Sequence, residues 1–92
     1  MLLDFQCLAT SMLTHATTPI WLNQRMTIDD LRSVCATSLP TFGMNPARNL
    51  RLIISTNEGN TALISKKTPG HYSISEWNLQ EGCTIYIMIQ LW

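Results

Sequence analysis

The sequence predicts an α+β fold in which a mixed sheet of four to five strands clasps one helix, and three observations carry that prediction. Only one stretch, opening at Ile28, has helical periodicity. Two pairs of alternating segments flank it, each pair joined by turn residues. The last segment sets Ile85, Ile87, Ile89 and Leu91 on one face, which is apolar enough to require a central place in the sheet.

The first strand is read from Leu3, Phe5, Cys7 and Ala9 alternating against Leu2, Asp4, Gln6 and Leu8. Small polar residues from Thr14 to Thr18, then Pro19, form a loop before Ile20-Trp21-Leu22 returns as the second strand. Thr27 followed by Asp30 has the spacing of a capping box. Asp is shorter than the usual Glu or Gln, so it either closes the box or serves only the helix dipole. Ile28, Leu31, Val34, Cys35 and Leu39 recur at helical spacing, with Asp29, Asp30, Arg32 and Ser33 on the other side. The helix therefore runs for about three turns and stops before Pro40.

Gly43, Asn45, Pro46 and Asn49 mark an irregular connection to the third strand, Leu50 to Ser55. Asn57-Glu58-Gly59-Asn60 is turn chemistry, so Thr61 to Ile64 pairs back as a short fourth strand. After a loop at Thr68-Pro69-Gly70-His71, a short helical turn within Ser73 to Leu79 precedes the last strand.

Composition narrows the function. With 46% hydrophobic and 13% charged residues, the 92-residue chain has enough apolar surface to order itself, and residues 1–92 read as one small domain. Six basic and six acidic side chains cancel, and the basic ones are scattered, which disfavours a nucleic-acid surface. No stretch approaches the ~20 apolar residues of a membrane span, and residues 1–16 lack the features of a signal peptide. Cys7, Cys35 and Cys83 are odd in number and far apart, which suggests reduced thiols in an intracellular, cytoplasmic or nuclear, setting.

Particular residues resemble the ubiquitin family. Thr27-Ile28-Asp29-Asp30-Leu31-Arg32 is similar to its helix opening Thr-Ile-Glu-Asn-Val-Lys, and Arg51-Leu52-Ile53-Ile54 to its Arg-Leu-Ile-Phe strand. Ser73 to Gln80 and Thr84 to Leu91 resemble, without a gap, Thr-Leu-Ser-Asp-Tyr-Asn-Ile-Gln and Thr-Leu-His-Leu-Val-Leu-Arg-Leu. The first hairpin matches in pattern only, with a longer turn, and the segment after the helix is also longer. The resemblance implies a β-grasp ubiquitin-like fold, and such folds serve as covalent modifiers, sulfur carriers or interaction domains.

Conjugation in that family needs a C-terminal diglycine, whereas this sequence reads Gln90-Leu91-Trp92. The resemblance therefore implies a non-enzymatic protein–protein interaction domain. The alternative is a conjugatable modifier whose diglycine is missing from the sequence, and an RNA-contacting domain is a third reading disfavoured by the neutral charge. The family's chain-forming lysines correspond to Asn57 or Glu58, Glu81 and Arg32; Lys66 and Lys67 read as a solvated pair at the end of an edge strand.

Ile53 corresponds to the family's hydrophobic-patch isoleucine, and alternation turns it away from Leu52 and Ile54. Tyr86 and Met88 fall on the outer side of the last strand, where the same patch continues. If the third and fifth strands are neighbours, Arg51, Ile53, Tyr86 and Met88 form a protein-binding face of apolar centre and polar rim. The competing reading is that this face is covered, either by the first turn with Met12 and Leu13 or by the longer segment after the helix. Expected partners are proteins, ubiquitin-pathway or ubiquitin-receptor proteins among them. Trp77 replaces a family tyrosine that ties down a loop, a structural role an indole N–H can also fill.

Chemistry is otherwise sparse. His15 and His71 have no second ligand at metal spacing, and no phosphate loop or other cofactor motif occurs. Cys7 and Cys35 read as core residues, and Cys83, in a turn, as the most exposed thiol. It has no identifiable base, so catalysis is not expected.

Overall fold

The computed structural model describes residues 4–38, 50–56, 58–65, 67–77 and 79–89. Its elements follow the expected order: β1 (Phe5–Ser11), β2 (Thr17–Leu22), α1 (Ile28–Ser38), β3 (Leu50–Ser55), β4 (Thr61–Ile64), a 3-10 turn (Ile74–Trp77) and β5 (Thr84–Ile89). They build one five-stranded sheet in the order β2-β1-β5-β3-β4. The hairpins β1–β2 and β3–β4 are antiparallel, β5 is antiparallel to β3, and β1 runs parallel to β5. This is the mixed sheet predicted, with β5 at its centre.

The inward positions of the strands are apolar except Ser11 on β1 and Thr18 on β2, so alternation lays down one face of the core. Leu50, Leu52, Ile54, Ile85 and Ile87 are fully buried there, together with Ile28, Leu31 and Cys35 of α1. Val34 packs at the margin of this cluster and Ile89 joins it partly buried. The expected positions Leu39, Leu91 and Leu3 lie outside the described residues, as does the longer segment after the helix.

Asp30 closes the capping box despite its length. Thr27 N–H donates to Asp30 Oδ2 at 3.1 Å while Asp30 N–H donates to Thr27 Oγ1 at 3.2 Å. The next two amides of the helix are satisfied from a distance, Ile28 N–H by the Tyr72 carbonyl (2.8 Å) and Asp29 N–H by the Gly70 carbonyl (3.0 Å). A Cβ at Gly70 would meet the Asp29 carboxylate, which would have to swing aside towards solvent. Thr27→Ala removes one acceptor of the box and is expected to cost about 1 kcal/mol, read as a fall in Tm of roughly 4–8 °C.

Three expectations need correction. Pro19 lies inside β2, which starts at Thr17, and not in a loop; among the described strands β2 pairs with β1 alone, and an edge strand tolerates a residue that has no N–H to donate. The turn is accordingly short, and buried Ser11 organises it by accepting the N–H groups of Leu13 and Thr14 at 3.1 Å each. Arg32 is not on a solvated helix face but only 4% exposed. It stands four residues after Ile28 and three before Cys35, on the core-facing stripe, and its guanidinium reaches across to the loop after β4. Nη2 donates to the carbonyls of Ser65 (2.6 Å) and Thr68 (2.8 Å), and Nη1 to Asp29 Oδ1 (3.3 Å).

The third correction concerns Cys83, which is 1% exposed and as buried as Cys7. It precedes β5, where Gly82, at φ +87°, turns the chain inward. Burial pushes the Cys7 thiol up to about 12 from its ordinary 9.0, with nearby Cys83 adding to the effect; burial, with a smaller push from Cys7, does the same for Cys35. A thiol whose pKa rises on folding stabilises the fold fully while the unfolded chain also keeps its proton. Stability is therefore expected to fall as pH climbs from about 9 towards 12, a trend that denaturant midpoints measured across that window would reveal.

A candidate protein-binding face

Outward side chains of the sheet are placed by the same alternation that builds the core. In the β3–β5 register Ile53 stands opposite Tyr86 and Arg51 opposite Met88. The structure therefore brings all four sequence-predicted residues together, two from each of two adjacent strands. All four are half-buried by their neighbours along the face.

The register continues the row beyond this block. Ile53 pairs with Leu63 on β4, Tyr86 with Thr10 on β1, and Thr10 with Thr17 on β2, so one line of side chains crosses all five strands. Leu63 is an exposed apolar side chain that extends the centre of the face, and sequence reasoning missed it. The signal was present: in Thr61-Ala62-Leu63-Ile64 its position alternates with core-facing Ile64. Arg51 is the sole charged side chain among the outward residues of the described strands, so little must be desolvated when the face is covered.

Met12 and Leu13 border the face without closing it. With Met88 and Ile89 they line an apolar notch of about 250 Å³, and Leu13 remains 69% exposed. Met12 N–H donates to the Ile87 carbonyl at 2.9 Å, which anchors the turn beside the end of β5. Towards the other edge the face runs through Leu8, opposite Pro19 in the β1–β2 register, to Trp21, which is 62% exposed.

Trp77 packs against the core, its ring 6.3 Å from Tyr72, and borders a larger cavity of about 450 Å³ lined also by Glu58, Glu76 and Gln80. His71 meets Tyr72 edge-on at 4.8 Å, and His15 adopts φ 63° at the tip of the first turn. Lys67 is exposed; Lys66 lies outside the described residues. Among the described residues no group of three or more His, Cys, Asp or Glu is placed to hold a metal ion, and no helix is long and apolar enough to cross a membrane.

This arrangement of a five-stranded mixed sheet around one helix defines the ubiquitin-like β-grasp fold, and solved structures of that fold superpose on the chain. The C-terminal ubiquitin-like domain of mouse tubulin-specific chaperone e matches with a TM-score of 0.74 at 9% identity, covering 95% of this chain and 87% of that one. A ubiquitin-like domain from tubulin-binding cofactor B matches with a TM-score of 0.70 at 16% identity, covering 97% and 92%. The ubiquitin of Caldiarchaeum subterraneum matches with a TM-score of 0.55 at 13% identity, covering 97% and 96%. Identities this low establish the fold and nothing finer. No protein-family model and no curated protein matches the chain.

Proposed function

We propose that this chain is a non-catalytic interaction module that binds partner proteins through the outward sheet face centred on Ile53, with Arg51, Tyr86 and Met88 around it. One observation carries the reading: apolar side chains from β4, β3 and β5 stand in one row on the outer face, beside a single charge, Arg51, at its rim. Tyr and Met are enriched where proteins meet, and the unbranched Met side chain repacks around differently shaped partners. Ubiquitin-like domains such as those of tubulin cofactors are typically interaction modules, which supports the same reading. Because the proteins that carry those two domains are named for tubulin, purified tubulin is the first titrant to try, followed by proteins the domain retains from a lysate.

The test is amide chemical-shift mapping of the isotope-labelled domain during such a titration. Perturbations centred on Ile53, Leu63, Tyr86 and Met88 are expected. Perturbations confined to the outward side of α1, at Asp29, Ser33 and Thr37, would overturn the reading.

A further inference from the structure

The cysteines, scattered in sequence, converge in the core. Cys7 points inward from β1 and Cys83 lies one residue before β5, each 1% exposed. Their backbones are tied on both sides: Leu8 N–H donates to the Cys83 carbonyl at 2.9 Å, and Gly82 N–H donates to the Gln6 carbonyl at 2.9 Å. Two stretches bonded in this way lie at about the spacing of neighbouring strands, ~4.8 Å, inside the window of roughly 4.4–6.8 Å between Cα atoms that a disulfide spans.

The side chains meet as well. Cys7 S–H donates to the Gln80 carbonyl at 3.4 Å, and Gln80 N–H donates to Cys83 Sγ at 3.3 Å, so both thiols bond to the backbone of one residue. Cys7 also lies within reach of the electrostatic influence of Cys83. Cys35 approaches Cys7 from α1, the other layer of the core, and no backbone hydrogen bond ties it to either strand partner.

We propose that Cys7 and Cys83 form a convertible thiol pair, which a small-molecule disulfide such as oxidised glutathione closes into a bond between β1 and β5. One thiol loses its proton and its thiolate attacks the oxidant's S–S bond, giving a mixed disulfide and releasing one glutathione thiolate. The second thiol then loses its proton and attacks the mixed disulfide, forming the Cys7–Cys83 bond and releasing the second glutathione. The protein is oxidised by two electrons, the oxidant is reduced to two thiols, and the two protein protons end on them.

Both sulfurs are buried, so the exchange proceeds when the junction between β1 and β5 opens, or during folding. That junction matters mechanically. The β1–β5 ladder is the pairing that joins the first hairpin to the β5-β3-β4 half of the sheet, and the bond would close nearly the whole chain into one loop. Oxidation would therefore brace the sheet from behind the proposed binding face, and the pair stands whether or not that face binds a partner.

The full chain, refolded in buffers stepped from reduced to oxidised glutathione, provides the test. The expected product has lost two hydrogens in its intact mass and keeps one titratable thiol under denaturing conditions. Peptide mapping should link Cys7 to Cys83, and Tm should rise by about 10 °C or more over the reduced form. Cys35→Ser should cross-link as the wild type does, while Cys83→Ser should not. Three free thiols at every glutathione ratio, or a cross-link that contains Cys35, would overturn the proposal, and mapping of the wild-type chain decides the matter even if a variant fails to fold.

Discussion

Ile87→Ala is expected to lower the unfolding free energy by roughly 2–5 kcal/mol, a large share of the ~5–15 kcal/mol that holds a domain together. The residue is fully buried on β5, the central strand, flanked by Leu52 on β3 and Ser11 on β1. Its side chain shares the cluster with Leu31 of α1, with Val34 at the margin. Truncation would remove several buried methyl groups, and ladders on both sides of β5 keep the backbone from closing the cavity. Equilibrium denaturation should show an earlier midpoint with an unchanged slope; an unchanged midpoint would contradict the register assigned to β5.

Replacing Arg32 by Ala is expected to cost about 2–4 kcal/mol, because it strands the Thr68 carbonyl, takes one of two donors from the Ser65 carbonyl, which Thr68 N–H also reaches, and removes a buried side chain's packing. The bond to Asp29 contributes little of this, since that carboxylate is 73% exposed. Arg32→Lys should recover only part of the loss: an ammonium carries the charge but lacks the planar fork that spans the Ser65 and Thr68 carbonyls. Equal stability of the Ala variant and the wild type in thermal melts would show that the loop after β4 finds other donors.

Most of the scaffold is legible in the sequence because its causes are local. Period-two alternation in Leu50 to Ser55 and Thr84 to Ile89 records which side of the sheet each residue faces, and the Thr27–Asp30 spacing records a bond three residues long. The same alternation is enough to find Arg51, Ile53, Tyr86 and Met88 as one face, given that the two strands are neighbours. What escapes depends on partners far along the chain. Arg32 reads as a solvated charge until the carbonyls 33 and 36 residues away close over it. Cys83 reads as a turn thiol until Gly82 turns it against Cys7. Pro19 reads as a loop residue until β2 proves to be an edge.

The proposed binding face makes a demand on Ile53 that differs from the demand on Ile87. Ile53 is half-buried on the outer side, touching solvent and its cross-strand neighbours Tyr86 and Leu63. Ile53→Glu gives up those apolar pairs, worth roughly 0.2–1 kcal/mol each, and sets its carboxylate two residues along the strand from Arg51, which offsets part of the loss. The domain should therefore still fold, with a Tm a few degrees lower. In a complex the same carboxylate would be stripped of water at the centre of an apolar interface, weakening binding by at least ~2 kcal/mol, or about thirtyfold. Calorimetric titration of a partner that the wild-type domain binds, set beside the same titration of folded Ile53→Glu, tests this account most directly. A Kd raised about thirtyfold or more is the expected result, and equal Kd values for the two folded proteins would contradict it.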